Sequence, residues 1–261
     1  MTDTREFEHL FSRLDDLSVT ARSGAVSRTD FLSPRELHYA ERYLSERRIG
    51  YVTYGGYEGA ERKRIYVLPD YMEDVTSVTE LLDYGTELSV SVLRIKGSGY
   101  RELSHRDFLG STLGLGIERS VLGDIIADED RHGAYMFCDS SIAVFLTLEL
   151  EKVANDKVKV TVGELPEGFE PCRPTTPIND TVPSPRLDCV VGALLSLSRE
   201  KAKAAVSDGL CEVDFELEEK CDRQLSAPCL ISVRGYGRYR VLSLEDKTKK
   251  GRIRLVAEKF V

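Results

Sequence analysis

Apolar residues near the start of the chain recur at helical spacing. Phe7, Leu10, Phe11, Leu14 and Leu17 fall three and four apart and predict an amphipathic helix. Ser33-Pro34-Arg35-Glu36 reads as a second helix start, with Ser as N-cap, Pro at the first helical position and Glu completing a capping box. That helix carries Tyr39, Tyr43 and Leu44 and runs to about Arg48. Residues 50–54 and 64–68 then read as a hairpin around Gly55-Gly56-Tyr57-Glu58-Gly59. Beyond residue 76 the period alternates. Strands are expected at 88–95, 121–127, 134–138 and 158–162, with helices at 104–115, capped by Ser104 with Asp107 third in the helix, and at 140–153. The order β-α-β-β-α-β predicts a ferredoxin-like sandwich, the layout of RNA-recognition modules. Only Tyr135 and Phe137 supply the alternating aromatics such a sheet would use. Prolines 166, 171, 174, 177, 183 and 185 predict a linker or extended wall. Helical periodicity returns with Leu187, Val190, Val191, Leu194 and Leu195, and Ser198 caps a further helix with Ala202, Ala205 and Val206 on its core face. Gly209 is placed to end that helix in the left-handed region, a short strand follows at 211–215, and a basic glycine-rich tail begins at Arg234.

The fold class is therefore α+β and multidomain. We expect an α-rich N-terminal domain with a hairpin over 1–75, the ferredoxin-like domain over 76–165, a Pro-rich linker over 166–184 and a small α/β domain with its tail over 185–261. Length and composition agree with two or three soluble units: 261 residues, 41% hydrophobic and 31% charged. No run of 18 apolar residues suggests a membrane span, and the polar, acidic opening residues do not resemble a signal peptide. A cytoplasmic protein is expected.

Charge changes the picture. The chain is −8, yet from Val182 onward it holds 15 Lys and Arg against 12 Asp and Glu, leaving the preceding residues at −11. Between Arg234 and Arg254 the count is 8 basic to 2 acidic, interleaved with Gly235, Tyr236, Gly237 and Tyr239. A local basic module on an acidic protein points to a specific polyanion site. Glycine lets backbone approach phosphate and tyrosine can stack on a base. Arg186, Ser198, Arg199, Lys201, Lys203, Arg234, Arg238, Lys249, Lys250 and Arg252 are the candidate RNA-binding residues, with Arg62, Lys63, His105 and Arg106 as secondary candidates. Arg199 and Lys203 are four apart and share a helix face.

Catalytic chemistry finds little support. Cysteines 138, 172, 189, 211, 221 and 229 lack metal-knuckle spacing, so neither a metal nor a cofactor is expected. His105-Arg106-Asp107 lacks a nucleophile or metal partner and reads as a helix start. Leu113-Gly114-Leu115-Gly116 falls at a helix end and reads as a stop, not a methyltransferase loop.

Arg186-Leu187-Asp188, Ser198-Arg199-Glu200-Lys201-Ala202, Gly209 and Val213-Asp214 resemble the S-four-type RNA-binding domain, named after a small-subunit ribosomal protein. Asp214 stands where that pattern has Asn, and Pro228-Cys229 where it has Gly-Asp. Arg186-Leu187-Asp188 is also similar to a pseudouridine-synthase signature, but Cys189-Val190-Val191 follows in place of Thr-Ser-Gly, so Asp188 reads as a helix-start residue or the partner of a basic side chain. Further motifs, in order, resemble the bacterial YlmH family: Asp30-Phe31-Leu32-Ser33-Pro34-Arg35-Glu36, residues 55–63, Ser104-His105-Arg106-Asp107-Phe108-Leu109-Gly110, residues 113–119, Gly123-Asp124-Ile125 and Thr248-Lys249-Lys250-Gly251-Arg252. The resemblance implies a non-catalytic, ribosome-associated factor in quality control of stalled large subunits, contacting ribosomal RNA and peptidyl-tRNA, with an older link to cell division. A monomer that binds neither DNA nor membrane is expected. An RNA-modifying enzyme and a protein-interaction adaptor are the alternatives.

Overall fold

Helix α1 (Glu8–Arg22) buries Leu14, Leu17 and Ala21, and α2 (Pro34–Glu46) buries Leu37, Ala40 and Leu44. These residues share one core with Ile65 and Val67. Ser33 caps α2: its hydroxyl accepts from the Glu36 amide at 3.3 Å while Glu36 Oε2 accepts from the Ser33 amide at 2.7 Å, so two orphan N–H groups are satisfied at once. Strands β1 (Ser27–Arg28), β2 (Tyr51–Tyr54) and β3 (Arg64–Val67) form an antiparallel sheet with β3 in the centre. A short helix, α3 (Val78–Asp83), sets Leu81 into a second core with Val52 and Tyr66. The structure is a computed structural model that describes residues 4–171, 175–247 and 251–260.

The next segment gives β4 (Val90–Lys96), α4 (His105–Leu113), β5 (Leu122–Ala127), β6 (Gly133–Asp139) and α5 (Ser140–Glu149). A hairpin of β7 (Lys152–Val153) and β8 (Asp156–Lys157) follows, then β9 (Lys159–Gly163). The main sheet runs β5-β6-β4-β9 and every pairing is antiparallel, the order that a split β-α-β repeat produces. Helix α5 stops at Glu149, short of the expected 153, because the chain reverses at Ala154 (φ +50°) to pair β7 with β8 and drive Val153 fully into the core.

Residues 3–172 cluster into one compact unit and 173–261 into another. Within the first unit, the glycine-rich loop of the N-terminal hairpin lies on the middle sheet. Tyr57 Oη donates to Asp124 Oδ2 at 2.6 Å, and the Glu61 and Arg62 amides donate to the same carboxylate at 2.7 and 2.9 Å. Tyr57 packs on Phe137 with ring centroids 4.7 Å apart, and Phe169 stands edge-on to Tyr135 at 5.2 Å. Phe137 is fully buried. The sheet face where RNA-recognition modules present aromatics is thus closed by the protein itself.

The second unit corrects three expectations. Residues 175–182 of the presumed linker are β10 (Thr175–Val182), paired over eight residues with the final strand. Its proline is tolerated because β10 is an edge strand, where a missing N–H breaks no interior ladder. Helices α6 (Leu187–Leu194) and α7 (Arg199–Ser207) are followed by the hairpin β11 (Cys211–Val213) and β12 (Glu216–Leu217), whose turn holds Asp214 and Phe215 at φ +51° and +69°. Strand pairing therefore ends at 213, not at the expected 215. Asp214, in the place of the pattern's Asn, accepts the Leu230 amide at 2.8 Å. The expected tail is also sheet: β13 (Cys229–Val233), β14 (Gly237–Lys247) and β15 (Ile253–Phe260) pair antiparallel. The reason is period-two alternation, which buries Tyr239, Val241, Leu255 and Ala257 against α6 and α7 while the arginines between them face away.

Candidate RNA-binding surface

Ser198 is the N-cap of α7 and its hydroxyl accepts the Lys201 amide at 3.4 Å, fixing the start of the helix. Ala202, Ala205 and Val206 bury one face, and Gly209, at φ +68°, lets the chain leave. Arg199, Lys201 and Lys203 are all exposed. At 100° per residue, Arg199 and Lys203 lie on one flank of the buried stripe and Lys201 on the other. The helix brings together the first two and separates the third.

Arg186 is placed differently. Its Nε and Nη2 donate to Asp188 Oδ1 and Oδ2 at 3.0 and 3.1 Å, a bidentate pair. Asp188 is buried in the first turn of α6. Burial works to raise its pKa, but the Arg186 hydrogen bonds and charge prevail and hold it below the ordinary value. The same hydrogen bond, first among the causes, raises that of Arg186. Two of the guanidinium's donors thus serve the helix start, the role its partner's position suggested. Asp188→Asn should cost the C-terminal unit about 1.5–3 kcal/mol, the range for a hydrogen bond to a charged group. Urea unfolding of the full chain checks this, and an unaltered midpoint for that unit would refute it.

Arg234 is exposed in the β13–β14 turn, and its amide donates to Leu210 O at 2.9 Å, so the turn sits at the C-terminal end of α7. Tyr236 is exposed beside it, between Gly235 and Gly237 at φ +84° and +118°. Arg238 does not extend the α7 surface. Strand alternation sets it on the sheet face away from the helices, its guanidinium 5.7 Å from the Phe260 ring centroid. Arg240 joins it over the same ring at 5.1 Å. Sequence reasoning missed Arg240 because β14 reads as a charged tail until its alternation is noticed. Arg252 Nε donates to Thr181 Oγ1 at 2.8 Å and Nη2 to the Thr181 carbonyl, fastening β10 beside the start of β15. Lys249 and Lys250 lie outside the described residues.

The secondary candidates divide. Arg62 turns inward: Nε donates to Leu122 O at 2.8 Å, and Nη2 to Phe31 O and Arg119 O, each at 3.0 Å. It binds the hairpin loop to the middle sheet. Lys63 is half-buried beside Glu41, whose pKa burial raises and the Lys63 charge pulls back. His105 and Arg106 are exposed at the start of α4. Desolvation and then the charge of Arg119 lower the His105 pKa, against Asp124 and Glu61. Asp107 is occupied in the cap, accepting from the Ser104 amide at 2.8 Å and hydroxyl at 2.6 Å. Gly114 and Gly116 (φ +82°) end α4 as expected.

The family model described as "YlmH, N-terminal" matches residues 5–72, and that described as "Putative RNA-binding domain in YlmH" matches residues 85–167. A curated relative, "Ribosome-associated protein quality control protein P2" of Bacillus subtilis (strain 168), is 29% identical over 231 residues, covering 88% of this chain and 86% of its own. Among solved structures, "Cell division protein ylmH from Streptococcus pneumoniae" superposes with a TM-score of 0.51 at 20% identity, over 65% of this chain and 98% of that one, a likeness of fold alone. Two domain models in consecutive order, meeting where the Tyr57 loop lies on Asp124, together with a relative aligned along most of both chains, make this protein a member of the YlmH family.

Proposed function

We propose that this protein is a non-catalytic RNA-binding translation factor. It binds ribosomal RNA on the large ribosomal subunit and peptidyl-tRNA, and acts in the cytoplasm in quality control of stalled translation. The relative's name and the RNA-binding family model support the ribosomal setting. The observation that carries the reading is the Arg199–Lys203 pair: two exposed cations on one flank of a helix that is capped by Ser198 and pinned by Ala202, Ala205 and Val206. Such a pair contacts phosphates without reading bases, as shape-directed RNA recognition requires. The placement of Asp188 favours this over an RNA-modifying enzyme, because the aspartate a synthase reading would use is buried and held by Arg186.

The test is co-sedimentation of the full chain with 70S ribosomes, separated subunits and large subunits carrying peptidyl-tRNA, across a salt series. Preference for the obstructed large subunit is expected. Arg199→Glu with Lys203→Glu should remove roughly 1.4–1.8 units from the salt slope, at about 0.7–0.9 per phosphate contact, with the fold intact by circular dichroism. Undiminished co-sedimentation of the folded double variant would remove this face from the assignment.

A further inference from the structure

The middle domain presents a second basic surface at one end of its sheet, outside every residue considered above. Strand β4 ends there at Lys96, β9 begins there at Lys159, and the β7–β8 hairpin stands beside them. In the β4–β9 register Lys96 lies directly opposite Lys159, and in the small hairpin Lys152 lies directly opposite Lys157. All four are exposed. Like charges placed directly across a ladder repel and destabilise it. Two such pairs at one end are a cost the fold alone does not require.

The loop after β4 adds an aromatic. Gly97 N donates to His132 O at 2.7 Å, Ser98 N to Asp156 Oδ2 at 2.9 Å and Leu103 N to Arg131 O at 2.8 Å, so both ends of the loop are held. At its tip Tyr100 is 97% exposed, and Arg101 beside it is exposed. Carboxylates at this end are largely engaged. Asp156 accepts from Ser98, Asp128 pairs with Arg94 at 2.6 Å, Asp130 accepts the His132 amide at 2.9 Å and Glu102 lies 3.7 Å from Arg131. Glu129 and Glu151 remain exposed at the margin.

We propose that Lys96, Lys152, Lys157 and Lys159, with Arg101 and the outward Tyr100, form a second RNA contact that holds a single-stranded segment, the lysines on its phosphates and Tyr100 on a base. The inference rests on the RNA-binding reading above and deepens it by locating the middle domain's contact. The sheet face used by RNA-recognition modules is not open for the task, since Tyr57 and Phe169 cover Phe137 and Tyr135. Lysines track a backbone as flexible point charges, and an exposed tyrosine stacks on any base, which together favour a single strand over an acidic protein.

The experiment measures anisotropy of a labelled oligouridylate with the full chain across a salt series, with large ribosomal subunits as a parallel ligand. Replacing all four lysines by glutamine should lower the salt slope on the oligonucleotide by roughly 2–3 units, at about 0.7 per single-strand contact. The thermal midpoint should hold or rise, because the cross-strand repulsion is gone; a merely structural role would lower it. Tyr100→Ala should weaken binding by about tenfold, within the range for one lost base stack. An unchanged slope in the folded quadruple variant would overturn the proposal. So would displacement of the RNA by polyglutamate of equal charge as readily as by unlabelled RNA, which would point to an acidic protein instead. The Arg199→Glu, Lys203→Glu protein in the same assay separates the two readings. Loss of binding there, with the quadruple variant silent, sinks this surface alone. Absence of wild-type binding to both ligands sinks both.

Discussion

Arg64→Leu is expected to destabilise the first unit by about 3–5 kcal/mol, the cost of stranding one partner of a buried ion pair. Arg64 is fully buried and its Nη2 lies 2.5 Å from Asp139 Oδ2. Its Nη1 donates to Ser89 O at 3.2 Å, and the guanidinium lies 4.5 Å from the Phe31 ring centroid. Asp139 in turn caps α5, accepting from the Ser141 amide at 2.8 Å and hydroxyl at 2.6 Å. Without Arg64, the cation left beside Asp139 among the described residues is Arg28, at 3.7 Å and substantially exposed. The carboxylate shows how much rests on these partners. Burial works to raise its pKa, yet the Ser141 hydrogen bonds and the Arg64 bond and charge bring it down to about 2. The folded value lies below the unfolded one, so the contribution is complete above about pH 4 and disappears as pH falls through about 2. The variant should therefore lose stability at neutral pH and show less further loss across that acid window. Guanidinium unfolding at pH 7 and pH 3 reads both effects. A neutral-pH change below about 1 kcal/mol would contradict the argument. Arg64→Leu combined with Asp139→Leu should recover part of the loss, since no charge is then left buried without its partner, and the recovery stays partial because the Ser141 cap and the Ser89 carbonyl lose theirs.

A second large loss is expected at Gly56. A Cβ there would lie 2.2 Å from Phe137 Cδ1, and the backbone is held at φ +105°. Gly56→Val meets both obstacles. The backbone strain costs about 1–2 kcal/mol and the overpacking about 1–3 kcal/mol more. The loop would have to lift, taking Tyr57 from Phe137 and loosening the amides of Glu61 and Arg62 on Asp124. Hydrogen exchange should show those two amides losing protection before the α1–α2 core does. Gly59 is the control. It also has a positive φ, +77°, but nothing lies within 4 Å of its Cβ position. Gly59→Asn should cost little, because asparagine tolerates the left-handed region. Equal losses at the two positions would show that strain alone, without the Phe137 contact, governs this loop.

Local signals in the sequence foretold local structure. Ser33, Ser104 and Ser198 cap helices because a cap needs only a few neighbouring residues. Gly209 ends α7 for the same reason. Strand β10 was hidden because Pro177 reads as a breaker until one knows the strand is at an edge. Strand β14 was hidden because arginines and glycines dominate its start, and only the buried partners Tyr239 and Val241 reveal the alternation. Arg62 reads from the sequence as a secondary RNA-facing candidate beside Lys63. Its three carbonyl acceptors come from residues 31, 119 and 122, distances along the chain that no periodicity encodes. The α7 flank was legible as i, i+4 spacing. The facing lysine pairs of the middle sheet were not, because a cross-strand neighbour exists only once the register is set.

The cover that Tyr57 and Phe169 place over the middle sheet has a consequence for anyone who cuts the protein into pieces. A fragment spanning the matched segment 85–167 would lack both rings. Val92, Ile126, Tyr135 and Phe137 would then face water together, and such a bare aromatic sheet invites single-stranded nucleic acid and self-association alike. Binding measured on that fragment would describe a surface created by the excision, so any dissection of this protein has to keep the first 171 residues in one piece.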